Sequence, residues 1–419
     1  MAVVACQERV PTALDDSQLP EEPLTVEVEL AWSDFGSNLQ VLGGYGTAAS
    51  LGSPVVAHTY AGALESRVLV RFGSYPTSVQ VFNANGTTEL DQDITYVGGR
   101  LVLTVDTAGS IQSGPVTLHL GALGEAWDAR SATWTYAVDS VADQRNWAEP
   151  GAGPITPMAS AYWEPVAGDS ISFFLDSADV ALWMDATDQS RGGRIETDTD
   201  GVRLQVIRAR LRVSMRPSIN PDTLVEDSVR LVDGSVVYDP PASTPVGLRV
   251  GGAPGWRSVL QVTVPALTGP PELCAAVGCP YTPQPGHVSY AALALTSQAT
   301  EPAFQPTDTV RLDVHAVLSP PTLPKSPLGF SESGDVGTPI APELFGALAG
   351  SRVEVPITAF VRTLLGGPDA AGRDPPSTLA MTPLTESFAL SFASFAGPAG
   401  PGEPVLRLIL TVGDPLVLP

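Results

Sequence analysis

An all-β chain built as two tandem antiparallel β-sandwiches of jelly-roll type is predicted by three observations. Forty Gly and forty Pro punctuate the 419 residues. Apolar runs are short and rich in Val and Leu, and no long stretch keeps a helical period. The third observation is strict alternation of apolar and polar residues in several segments, the pattern of a strand with one wet face.

In chain order, residues 7–23 are polar, acidic and proline-punctuated, which predicts a tether over 1–23. Folding is expected from Leu24, where Val26, Val28 and Leu30 alternate with Glu27 and Glu29. Similar alternation predicts strands at 67–72, 100–105, 116–120 and 202–206. Asn85-Gly86 suits a type I′ hairpin turn, since both residues tolerate positive φ, and Asp233-Gly234 is a second hairpin candidate. The second half echoes the first: 66–72 resembles 257–262, 115–120 resembles 308–314, 171–183 resembles 353–364, and 210–215 resembles 406–412. These echoes predict a first sandwich over 24–240 and a second, more divergent one over 241–419. The boundary falls at Asp239-Pro240-Pro241, where proline halts pairing.

The chain holds 22 basic and 45 acidic side chains, and Lys325 is its only lysine. Such a surface repels phosphate backbones, so nucleic acid is not an expected partner. No run reaches the roughly 18 consecutive apolar residues of a membrane-spanning helix, so membrane contact is expected only through a lipid or a partner. Val3-Val4-Ala5-Cys6 matches the end of a bacterial lipoprotein signal, which makes Cys6 the lipidated residue and the protein an exported, outer-membrane, cell-surface or extracellular one. Only five residues precede Cys6, fewer than the apolar region of such a signal, so the true start is expected upstream; a chance cysteine in a cytoplasmic protein is the alternative. Cys274 and Cys279, the remaining two cysteines, are expected to form a disulfide in an oxidising compartment.

The order of the strand at 66–72, the segment Trp127 to Trp134 (Trp-Asp-Ala-Arg-Ser-Ala-Thr-Trp) and the stretch Ser172 to Trp183 resembles the DNRLRE-type β-sandwich family, a carbohydrate-binding-module-like group of bacterial surfaces. The hexapeptide that names the family is absent, and the second half has no counterpart of the Trp-to-Trp segment. The resemblance implies glycan binding or a structural surface role.

Trp127, Asp128, Arg130 and Trp134 combine flat aromatic faces with a carboxylate and a guanidinium, the groups that grip a sugar ring and its hydroxyls; the competing reading makes the two tryptophans core pegs beneath a loop. Asp198 and Asp200, in Glu196-Thr197-Asp198-Thr199-Asp200-Gly201, place oxygen ligands at alternate positions before a glycine. That pattern allows a structural calcium, or else an acidic hairpin turn. Arg208, Arg210 and Arg212 share one strand face by the period of two, and are expected to pair with acids across the sheet, an anionic-polysaccharide ladder being the alternative. His58, His119, His287 and His315 show no metal or triad spacing, and His119 and His315 read as sheet-face residues. With no nucleophile elbow, Walker loop or dinucleotide fingerprint, no catalytic residue and no cofactor is assigned. The sequence therefore predicts a non-catalytic surface protein that binds polysaccharide or another matrix component. The alternatives are a self-assembling subunit of a surface layer or filament and an exported carbohydrate-active enzyme with two facing carboxylates.

Overall fold

The computed structural model of the chain describes residues 23–45, 48–52, 54–140, 143–185, 191–240, 247–253, 255–318, 327–332, 334–385 and 389–413. Cys6 lies outside them. The chain opens with β1 (Leu24–Leu30) and β2 (Gly36–Tyr45). There follow β3 (Val55–Tyr60), β4 (Leu64–Gly73), β5 (Val79–Phe82), β6 (Thr88–Asp91), β7 (Ile94–Ile111), β8 (Val116–Leu123), β9 (Tyr136–Asp139) and β10 (Gln144–Asn146). Next come β11 (Ile155–Trp163), β12 (Ser170–Leu175), β13 (Gly193–Thr197), β14 (Val202–Pro217) and β15 (Val225–Tyr238). The rest holds β16 (Leu248–Gly251), β17 (Gly255–Val262), β18 (Val288–Gln298), β19 (Val310–Val317), β20 (Leu328–Ser331) and β21 (Thr338–Ile340). It ends with β22 (Arg352–Pro356), β23 (Thr378–Pro383), β24 (Phe392–Phe395) and β25 (Val405–Val412).

The fold is all-β and sandwich-like, with antiparallel sheets. One runs β11-β8-β13-β4-β15-β14-β7-β12, with β3 against β14 and β4. It bends back on itself, so that Val68, Val70 and Phe72 of β4 share a core with Leu103 of β7, Phe173 of β12 and Leu211 and Val213 of β14. The other sheet contains the pairings β20-β19-β23-β17, β17-β2, β1-β25, β25-β18 and β18-β22. Read in that order, the two sheets share part of one strand order, although β24 and β16, which lie between β18 and β17 in the second, have no counterpart in the first. β4 corresponds to β17, β7 to β18, β8 to β19, β12 to β22, β13 to β23 and β14 to β25. The last strand, β15, pairs with β14 through residues 225–229 and with β4 through 230–238. Its place in the other sheet is filled by β1 on β25 and β2 on β17, from the opposite end of the chain. The four sequence echoes sit at equivalent positions in this shared order, and both β12 and β22 run straight into a helix, Ser177–Met184 and Thr358–Leu365.

That pairing corrects the expected boundaries. Residues 24–45 belong with the sheet of 248–412, not with that of 55–238, because Val26, Val28, Leu30 and Phe35 are buried in the core of the former. A third cluster joins the two sheets: Val55, Leu64, Val236 and Tyr238 meet Ala253, Phe304 and Phe392. The Tyr238 and Phe304 rings lie 6.1 Å apart. β15 stops at Tyr238, one residue before Asp239-Pro240.

Two turn expectations change. The hairpin of β5 and β6 forms, yet only Gly86 takes positive φ (73°), and the Asn83 side chain accepts from the amides of Asn85 and Thr87 at 3.0 and 3.1 Å. The result is a longer loop with one left-handed residue, not type I′. Asp233-Gly234 makes no turn: it lies inside β15 at a bulge between Leu231 and Asp233, where Arg71 Nε donates to Asp233 Oδ2 at 2.8 Å.

Asp91 ties the end of β14 to the β6–β7 connection. Its buried carboxylate accepts from the amides of Ile219 and Asp93, each at 2.8 Å, and from Ser218 Oγ at 3.2 Å. The Ile219 amide, first among these donors, holds the carboxyl below its ordinary value. A depressed folded-state value stabilises above the unfolded one, about 4, and that contribution is lost as pH falls through the folded value. Asp91→Asn is expected to melt lower than wild type at pH 7, with the gap narrowing as pH drops below about 4. An equal gap at pH 7 and pH 3, by circular dichroism melts, would count against this assignment.

Candidate functional site

Alternation sets the site's chemistry. In β8, Val116, Leu118 and Leu120 enter the core, which turns Thr117 and His119 to the opposite face of the sheet. By the same period β4 turns out Glu65, Arg67 and Arg71, and β13 turns out Arg194 and Glu196. Register aligns them: Ser160 of β11 lies opposite His119, and His119 opposite Glu196. Arg67 closes the row, with Nε 3.1 Å from Glu196 Oε2.

The chain between β8 and β11 folds over the neighbouring part of this face and is bolted down by arginines. Arg194, only 6% exposed, donates from Nη1 to the carbonyls of Gly151 (3.2 Å) and Gly153, and from Nη2 to Glu196 Oε1 at 2.8 Å. Arg67 reaches the Gly151 carbonyl too. Gly151 has φ of 84°, and a Cβ there would meet Arg67 Nη1 at 2.5 Å, so both backbone and space require glycine. Burial pushes the Arg67 guanidinium below its ordinary value, and Arg194 beside it acts in the same sense.

Between this cover and the β13–β14 connection lies a cavity of about 580 Å³. Ile155, Pro157, Met158 and Ala57 supply apolar walls, and His58, Glu65, Arg67, His119, Ser160, Glu196 and Asp198 supply polar ones. His119 Nδ1 is 2.9 Å from Ser160 Oγ and its Nε2 is 3.2 Å from Asp198 Oδ2. His58 Nδ1 is 2.9 Å from Glu65 Oε2 and its Nε2 is 3.5 Å from Asp200 Oδ1. Apolar walls with a few fixed donors and acceptors are what a small polar ligand, or one unit of a polymer, requires.

The residues predicted from the Trp-to-Trp segment do not assemble into one site. Trp127 is 4% exposed, its Nε1 donates to the Arg191 carbonyl at 2.5 Å, and the Arg71 guanidinium stands 5.1 Å over its ring. That ring is a core peg. Asp128 is spent inside its own loop, accepting from Ser131 Oγ at 2.6 Å, and Arg130 is exposed. Trp134 is half-buried with the Arg67 guanidinium 5.1 Å above its ring, so it touches the cavity through Arg67.

Asp198 and Asp200 diverge to two different histidines, and their side chains are 72% and 83% exposed. Among the described residues no group of three or more His, Cys, Asp or Glu is placed to hold a metal ion. The segment is not a hairpin turn either, because β13 pairs with β4 and β8 while β14 pairs with β3, β7 and β15. It is a connection between the two layers, with Gly201 at φ 71°. Cys274 and Cys279 are joined in a disulfide that spans the end of the helix Pro271–Val277. A second cavity, about 420 Å³, lies where Asp106 and Arg203 face Asp308 and Arg311 across the two sheets.

No family model matches the chain, and no curated protein matches it. Two solved structures, "BspA_C_WT" and "BspA_C_mut", are similar at 10% and 8% identity, over 80% and 84% of this chain and 90% of each of theirs. Both have a TM-score of 0.12, too low to carry an argument about fold or function.

Proposed function

We propose that this chain is a non-catalytic, exported surface protein that binds polysaccharide in the cavity walled by β3, β4, β8, β11 and β13, and that a lipid on Cys6 anchors it. The observation that carries this reading is the cavity's lining: two histidines, three carboxylates, a guanidinium and two hydroxyl side chains around an apolar wall. Sugars present hydroxyls that both donate and accept, and an apolar ring edge between them, so this mixture suits them. Glu196 is held by Arg67 and Arg194, and Glu65 by His58 and the Thr59 amide. Carboxylates occupied in this way favour binding over acid–base cleavage. The Cys274–Cys279 disulfide agrees with an oxidising compartment. Membership of the DNRLRE-type family is part of the same proposal.

Affinity electrophoresis through gels holding neutral or acidic polysaccharides tests it. Retention by one glycan class is expected, weakened roughly five- to tenfold by His119→Ala, the equivalent of about one hydrogen bond. Absence of retention across the panel, with elution as a large assembly, would favour the structural-subunit reading instead.

A further inference from the structure

The outer face of the other layer, formed by β12, β7 and β14, has a composition that the rest of this acidic chain does not share. Register places Ser170, Thr104 and Arg208 in one cross-strand row, Ser172, Val102 and Arg210 in the next, and Phe174, Arg100 and Arg212 in the third. The four arginines line a shallow groove of about 340 Å³. Arg208 and Arg210 are exposed, and Phe174 is 73% exposed. The expected pairing with acids across the sheet does not occur: among the described residues no side-chain hydrogen bond or ion pair holds any of the four guanidinium groups. The acids at the margins make no ion pair with them among the described residues. Asp169 takes the Ser170 hydroxyl at 3.1 Å, and Glu226 lies opposite Ser214.

The second sheet supplies an internal control. Its equivalent face, on β22, β18, β25 and β1, also carries arginines, and there each is neutralised. Arg407 lies 2.6 Å from Glu27 and 3.0 Å from Glu354, and Arg352 is bonded to Glu29. The fold therefore accommodates arginine on this face with acids beside it. In the first sheet Ser170, Ser172, Thr104 and Ser228 stand around the arginines instead. Four like charges left together repel one another, a cost that an anionic ligand reverses.

We propose that this face binds an acidic polysaccharide lengthwise along β14, with Arg208, Arg210, Arg212 and Arg100 taking its carboxylates or sulfates and the Ser/Thr hydroxyls taking its hydroxyls. The site is distinct from the histidine-lined cavity and does not depend on it. Successive arginines on a strand stand about 6.7 Å apart, so Arg208 to Arg212 spans about 13 Å. Duplex nucleic acid brings one charge per ~1.7 Å. Most of its phosphates over that length would meet no cation while facing a chain of net charge −23. A polymer with one charge per sugar, or per two sugars, matches the sparse ladder and is repelled less. Guanidinium groups grip carboxylate or sulfate through two N–H donors at once.

The test compares the full chain with R208Q/R210Q/R212Q on immobilised polygalacturonate and on neutral dextran, over a range of NaCl concentrations. The proposal expects retention on polygalacturonate alone, falling steeply with salt. In the triple variant, affinity should fall on the order of a hundredfold and the salt dependence should lose the equivalent of about three contacts, with an unchanged melt. R352Q, on the equivalent face of the other sheet where Arg352 is bonded to Glu29, should leave this retention intact, which ties the binding to the ladder on β14. Wild type that does not bind, or a folded triple variant that binds as well, overturns the proposal. An oligomer that the triple variant dissociates would make the face a docking surface for a second copy, and overturns it too. So does binding to phosphatidylserine vesicles without binding to polygalacturonate. Should the triple variant not fold, R210Q alone, at the exposed middle position, reads the same contact.

Discussion

A chain lacking residues 1–46 is expected to lose cooperative folding of the sheet built from residues 248–412, although 24–45 are far from that sheet in sequence. β1 covers the edge of β25 over seven residues, Leu24 opposite Val412 through Leu30 opposite Leu406. β2 covers β17. Val26, Val28 and Leu30 are each under 9% exposed and Phe35 is 1% exposed. At about 1.5–3 kcal/mol per buried side chain these four supply on the order of 6–12 kcal/mol, as much as the whole stability of a typical domain. The truncation also bares two strand edges. Hydrogen exchange should show the amides of 288–298 and 405–412 unprotected, while those of β4, β7 and β14 stay protected. Unchanged protection of β18 and β25 would mean that the N-terminal strands only decorate that sheet.

Arg194→Ala has the largest expected effect among single substitutions near the site. The guanidinium holds two carbonyls of the cover, those of Gly151 and Gly153, together with Glu196. Removing one partner of a buried charge pair costs about 3–5 kcal/mol; Arg67 still reaches Glu196 and the Gly151 carbonyl, which puts this case at about 3. The cover carries Trp127, Trp134 and Trp147, so its release should red-shift the tryptophan emission at temperatures where the sheet is intact. A stability change under about 0.5 kcal/mol, with emission unaltered, would show that the cover is held by its apolar contacts alone.

Period-two alternation is why strands were legible in the sequence: Val68, Val70 and Phe72, or Val116, Leu118 and Leu120, can pack only if the chain is extended. The placement of β1 and β2 was not legible. Alternation says which face of a strand is buried and nothing about which sheet it joins, and neighbours in sequence are the default neighbours in space. Asp233-Gly234 misled because its bulge is fixed by Arg71, 162 residues away. The cavity has no local signature at all, since Glu65, His119, Ser160 and Glu196 come from four strands and meet only through register. Spacing did put His119 on a sheet face. It could not show that Asp198 would stand 3.2 Å from it. Trp127 and Trp134 were visible as residue types; burial makes Trp127 a core peg, while Trp134 stays half-buried beneath Arg67. For Arg208, Arg210 and Arg212 the period gave the shared face, while the expected acids proved absent from the facing positions.

The central claim, polysaccharide in the histidine-lined cavity, is tested most directly by titrating the full chain with soluble oligosaccharides while following tryptophan emission. Arg67 lines the cavity and stands over the Trp134 ring, so a bound sugar should shift the emission saturably, in wild type but not in Trp134→Phe. Binding seen by calorimetry with no change in emission, or an emission change that survives in His119→Ala and Trp134→Phe alike, would place the sugar elsewhere and contradict the claim.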